Sequence, residues 1–281
     1  MNPQCKLCNK PFIKGPKTSH MLFCTKNCQQ EYWRIKRNKT GTSNKESREK
    51  ADFVRKNIHL SEKQLQLCVG ALLGDSSMSP NQNGNIRMRF GHAEKHKDYL
   101  EWKKVIMEPF IVQKTPSSYI SHGFGNSVCF VYDTIVHEDF KRLYPLFYSP
   151  SRKKRLRNIT WKTLDLLTPL GLLIWHLDDG TLAYPQPNKG KNPIINIRTD
   201  AYSLSIQRML KRWFWQKHQI DIVISYDKTH DSYYIRFNTR QVPQLMKLFQ
   251  PYIQEIPACM QYKIIQHKPT LPADCLSTKD F

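Results

Sequence analysis

Two acidic endings about one hundred residues apart carry the clearest chemistry in this sequence. LCVGALLGDSS places Asp75 before two serines, and LLIWHLDDG places Asp178 and Asp179 before Gly180. Carboxylates are hard oxygen donors, and acids that converge in a strongly basic chain need a cation between them; Mg2+ or Mn2+ suits such a set. A second group consists of soft donors. Cys5, Cys8, Cys24 and Cys28 form CxxC and CxxxC within the first 28 residues, the spacing of two ligand pairs, and four thiolates suit tetrahedral Zn2+. His20 is an alternative ligand, although the four cysteines already fill the site.

The acids must be positioned by helices. Ser61 and Gln64 make a capping box for a helix whose apolar and small positions Leu65, Cys68, Val69 and Leu72 recur at three and four. Gly70, Ala71 and Gly74 strip one stripe of that helix almost bare, so another helix can approach closely just before Asp75. NIRMRF follows as a strand with Ile86, Met88 and Phe90 inward and Arg87 and Arg89 outward. A helix through HKDYLEWKKVIMEPF, a strand at SVCFVYDT and a helix through EDFKRLYPLF complete a first set. A second set starts near Thr163 with the helix that ends at DDG, then strands INIRT, DIVISYD and YYIRFN around the helix SIQRMLKRWFWQKH. In that helix Trp213, Phe214 and Trp215 read as packing, with one tryptophan exposed. The repeated order predicts a duplicated α+β unit with internal pseudo-twofold symmetry.

Composition agrees with a polyanionic partner. Lysine and arginine total 44 against 23 acids, a formal charge of +21, and nucleic acid is the first candidate. LDLLTPLGLLIW is too short and too interrupted to span a membrane. The amino terminus lacks the apolar stretch of a secretory signal, which points to an intracellular, reducing compartment where cysteines are ligands or core residues. The expected organisation is a four-cysteine finger at 1–35, a basic polar linker at 36–59, one repeat at 60–158, a second at 159–268 and a tail at 269–281. So small a finger has no core of its own and depends on its metal.

LCVGALLGDSS and LLIWHLDDG together resemble the paired motifs of single-chain, pseudo-symmetric LAGLIDADG homing endonucleases, over roughly residues 61–268. IPACMQYKI is similar to the closing segment of one branch of that family, among intron-encoded members. The resemblance implies an α+β fold in which αββαββα occurs twice, with a saddle of strands in the DNA major groove. It further implies a monomer with two active sites, each hydrolysing one phosphodiester to give a staggered double-strand break. By position the metal ligands are Asp75 and Asp179, with Asp178 a ligand or a hydrogen-bonding neighbour. The family's lysine near the scissile phosphate falls on Lys263 in the second half and on Lys153 or Lys154 in the first. In the second helix Ile174 and Asp178 stand where Gly70 and Gly74 stand in the first, so a looser or offset crossing is expected on that side.

Outward strand residues of types that bond base edges or phosphates are Arg87, Arg89, Asn196, Arg198, Tyr234, Arg236 and Asn238. His92 and His96, four apart with no evident further ligand, and His176 read as core or groove residues. Two other functions compete with cleavage. One is a silent DNA-binding regulator or an RNA maturase acting on a host intron RNA; the other is a zinc-finger regulator with the core as scaffold. Retention of both acids favours the nuclease, and the spread of basic residues along the chain disfavours the finger regulator.

Overall fold

The computed structural model describes residues 3–13, 22–39, 41–121, 127–148, 159–185 and 193–264. The chain divides into one unit ending at Asn57 and a second beginning at Ile58. In the first unit Gln4 bridges Pro11, and the Cys5 amide donates to Lys10 O at 3.0 Å, folding CKLC into a tight knuckle. Helix α1 (Lys26–Lys39) follows, and Tyr32 sets its ring 5.1 Å from that of Phe23. The stretch expected to be a linker is helical over Gly41–Asn57 (α2). Its Lys, Glu, Arg and Ala residues are helix formers, and Arg55 pairs with Asp52 one turn back.

In the second unit, α3 (Glu62–Leu73) starts at the expected capping box: Ser61 Oγ accepts from the Gln64 amide and Gln64 Oε1 from the Ser61 amide at 2.9 Å. Then come β1 (Ser77–Pro80), β2 (Ile86–Ala93), α4 (Lys97–Ile106), β3 (Ser117–Ser121), β4 (Ser127–Asp133) and α5 (Glu138–Phe147). A short α6 (Trp161–Asp165) precedes α7 (Pro169–Asp179), which begins at Pro169 because proline fits a helix's first position and breaks its interior. The second half continues with β5 (Gly180–Ala183), β6 (Ile194–Ile197), α8 (Leu204–His218), β7 (Val223–Asp227), β8 (Ser232–Phe237), α9 (Val242–Phe249) and α10 (Ala258–Gln261).

Among the described residues the strands form two antiparallel sheets, ordered β1-β2-β4-β3 and β5-β6-β8-β7, the same topology twice. Strands β1, β3 and β5 extend the set read from hydrophobic alternation; they are short and carry few buried apolar residues. The alternation itself appears as expected. Ile86, Met88 and Phe90 are buried and Arg87 and Arg89 exposed, while Ile195, Ile197, Ile235 and Phe237 line the second core. Trp213 and Phe214 are buried and Trp215 is exposed. No helix among the described residues is long and apolar enough to cross a membrane.

Candidate active site

Helices α3 and α7 form the central contact between the halves, and its closeness follows from glycine on both sides. A Cβ on Gly70 would lie 2.2 Å from the carbonyl oxygen of Gly171, and one on Gly171 would lie 2.5 Å from Gln66 Oε1. The looser crossing expected from Ile174 and Asp178 is therefore not found. Ile174 lies over Gly70 and Asp178 over Gly74, so each bulky residue fills the space its partner leaves, and Gly171 supplies the close backbone approach one turn earlier.

This contact brings the two acidic ends together. Asp75 follows Gly74, its side chain 48% exposed, and its amide donates to Asp178 Oδ2 at 3.3 Å. The Asp178 side chain is fully buried. Lys103 Nζ donates to both its oxygens at 2.7 and 3.0 Å, and Tyr99 OH to Oδ1 at 3.0 Å. Asp179 is partly exposed at the end of α7, and its carbonyl accepts from the Arg198 amide at 3.1 Å. Single ligand atoms of Asp75, Asp178 and His92 all lie within 4.8 Å of one another. A cluster of carboxylate oxygens, part of it open to solvent, fits a hard divalent cation; the acids brought together with His92 are Asp75 and Asp178, and Asp178 is also engaged by Lys103.

Lys263 follows α10, where IPACMQYKI buries Met260 and Ile264. Its Nζ donates to the carbonyls of Leu177 and Asp178 at 2.6 and 3.2 Å, a cation on the negative end of α7. Burial lowers its pKa, against the upward pull of the Asp178, Asp75 and Asp179 carboxylates. His176 Nε2 donates to the Lys263 carbonyl at 2.9 Å, and burial brings that imidazole down to about 4. Lys153, Lys154 and His20 lie outside the described residues.

Sequence reasoning missed Lys103, Tyr99 and the role of His92. Lys103 is fully buried in α4 and donates to His92 Nε2 at 2.9 Å, while His92 Nδ1 lies 3.6 Å from Asp75 Oδ2. Burial, then the Lys103 charge, pushes the His92 pKa far down. A signal existed: Lys103 is four residues after Tyr99 and three after Leu100, on the apolar face of its helix.

The outward strand residues are linked across each sheet. Arg89 grips Asp133, its cross-strand neighbour, through Nε at 2.7 Å and Nη2 at 2.8 Å, and Arg87 lies 3.6 Å from the same carboxylate. Arg236 Nε donates to Asn196 Oδ1 at 3.0 Å, and both Arg236 and Arg198 lie over the ring of Tyr234. Arg198 also holds Asp200 and Asp227. Asn238 lies exposed beyond β8, and its carbonyl accepts the first amides of α9.

In the amino-terminal unit Cys8 Sγ and Cys28 Sγ each lie 3.5 Å from Cys24 Sγ, and all four sulfurs lie within 4.8 Å of one another. Zinc–sulfur bonds of ~2.3 Å in a tetrahedron separate sulfurs by ~3.8 Å, so the cluster fits zinc. Burial would push the Cys5 thiol up, but the amides of Cys8, Cys24 and Leu7 outweigh it and bring the pKa to about 6.

The fold is an α+β unit occurring twice, with an acidic helix end from each half meeting at their contact. The chain belongs to the LAGLIDADG DNA endonuclease family, whose model matches residues 65–245. It is similar to Protein RecA of Mycolicibacterium chitae, 27% identical over 213 residues, covering 73% of this chain and 47% of that protein. The chain thus spans about half the length of the first curated relatives it matches. It is also similar to DNA endonuclease I-ChuI of Chlamydomonas applanata, 24% identical over 221 residues, 74% of this chain and 96% of that protein. Among solved structures, the homing endonuclease I-WcaI bound to its DNA recognition sequence shares the fold, with a TM-score of 0.65, 20% identity, and coverage of 76% of this chain and 91% of that one.

Proposed function

We propose that this protein is a site-specific double-stranded DNA endonuclease that hydrolyses one phosphodiester on each strand and leaves a staggered break. The observation that carries the reading is the meeting of Asp75 with the acidic end of α7 at a glycine-lined helix contact, beside the buried ammonium groups of Lys103 and Lys263. A protein that only binds DNA gains nothing from acids that repel phosphate.

Asp75 and Asp179 would each hold a divalent cation, Mg2+ or Mn2+. When bound, the cation supplies positive charge against the scissile phosphate and acidifies the attacking water. Lys263 offsets charge at the second site, and the polar ladder of Asn196, Arg236, Tyr234 and Arg198, with Arg87 and Arg89 in the first sheet, contacts the groove. The four cysteines hold Zn2+ in a finger that adds contacts beyond the core footprint, and the protein acts as a monomer on its target.

The test is incubation with a randomised duplex library in Mg2+ or Mn2+, followed by sequencing of the ends. Paired breaks with a constant stagger at one sequence are expected. Tight binding without ends in any divalent metal would leave the regulator or maturase reading in its place.

A further inference from the structure

Lys103 stands out because a fully buried ammonium costs several kcal/mol unless it is well paired. Asp178 pairs with it, yet the ammonium also donates to His92. An ammonium has only donors, so His92 Nε2 must accept, and the ring proton therefore resides on Nδ1. Nδ1 faces Asp75 Oδ2 at 3.6 Å. The ring is packed against Tyr99, with centroids 4.8 Å apart. Asp178 meanwhile accepts the Asp75 amide. The contacts close a ring: Asp178 holds the Asp75 main chain directly and faces its side chain through Lys103 and His92.

We propose that His92 and Lys103 are positioning residues for Asp75: the Nδ1 proton, 3.6 Å from one carboxylate oxygen and so beyond hydrogen-bond reach, orients that oxygen electrostatically and turns the other toward the cation. This rests on the reading of Asp75 as a cation ligand. Groups that orient a ligand from behind in this way typically change metal affinity 10–100-fold when removed.

The test titrates Mn2+ alone into the full zinc-loaded chain and follows free Mn2+ by electron paramagnetic resonance, with circular dichroism as the check on folding. Asp75→Asn removes one binding step. His92→Phe weakens that same step by about 10–100-fold and leaves the step lost in Asp179→Asn unchanged. His92→Asn, whose amide N–H replaces the Nδ1 proton, recovers most of the loss. Wild-type binding in His92→Phe, equal weakening of both steps, or no recovery in His92→Asn overturns the positioning role. If instead Asp75→Asn itself binds Mn2+ like the wild type, Asp75 is not a ligand, and that reading falls together with this one.

Discussion

Gly74 and Asp178 share one point of the helix contact: a Cβ on Gly74 would lie 2.4 Å from the Cβ of Asp178. The absent side chain on α3 makes room for a buried acid on α7, and that acid organises the surrounding charges. Gly70 makes the stricter demand, because its imaginary Cβ meets backbone at 2.2 Å. Gly70→Ala is therefore expected to destabilise by about 3 kcal/mol, the upper end for overpacking. Gly84, with φ +74° and nothing within 4 Å of its imaginary Cβ, is expected to cost about 1–2 kcal/mol as alanine. Urea denaturation of both variants checks the order.

Lys103 and Asp178 form a fully buried pair. Lys103→Met strands the carboxylate and is expected to cost about 3–5 kcal/mol, whereas Lys103→Met with Asp178→Leu recovers most of it. The measurement is a double-mutant cycle by thermal melting; additive losses would contradict a tight pair.

Strands β2, β4, β6, β7 and β8, the capping box and the acidic helix ends were legible in the sequence because each is a local pattern: alternation, a serine three residues before a glutamine, carboxylates closing apolar helices; β1, β3 and β5 were not, being short with few buried apolar residues. The tightness of the α3–α7 crossing was not. Aligning Ile174 and Asp178 with Gly70 and Gly74 treats the helices as copies, but the packing pairs each bulky residue with the opposite helix's glycine and draws the close approach from Gly171. Lys103 escaped because a lysine in a basic chain reads as solvated; its burial depends on Asp178, seventy-five residues away. Helix α2 is not legible because a polar stretch with almost no large apolar residues has the composition of a linker, although its Lys, Glu and Ala residues are helix formers.

The cysteine cluster predicts one zinc per chain. Chelation is expected to abolish the helical signal and protease resistance of the amino-terminal unit, because the metal supplies most of its folding energy, while the melting of the unit beginning at Ile58 stays unchanged. Elemental analysis and limited proteolysis measure this; a chain without zinc that keeps the unit protected would contradict it.

Arg236 is set in place by Asn196 and Tyr234 before any DNA arrives. Arg236→Ala is expected to weaken target binding by about 1–3 kcal/mol and to relax preference at one base pair. Binding to a panel of single-substitution targets reads both effects, and unchanged affinity would contradict the assignment.

The central claim is that Asp75 and Asp179 are the two halves of one duplicated centre. The direct measurement is strand-resolved cleavage of the target duplex, labelled on each strand, by Asp75→Asn and Asp179→Asn in Mg2+, alongside binding in Ca2+. Each variant should bind as the wild type does and make no double-strand break. A variant of either acid that still cuts both strands at the wild-type rate would contradict the account.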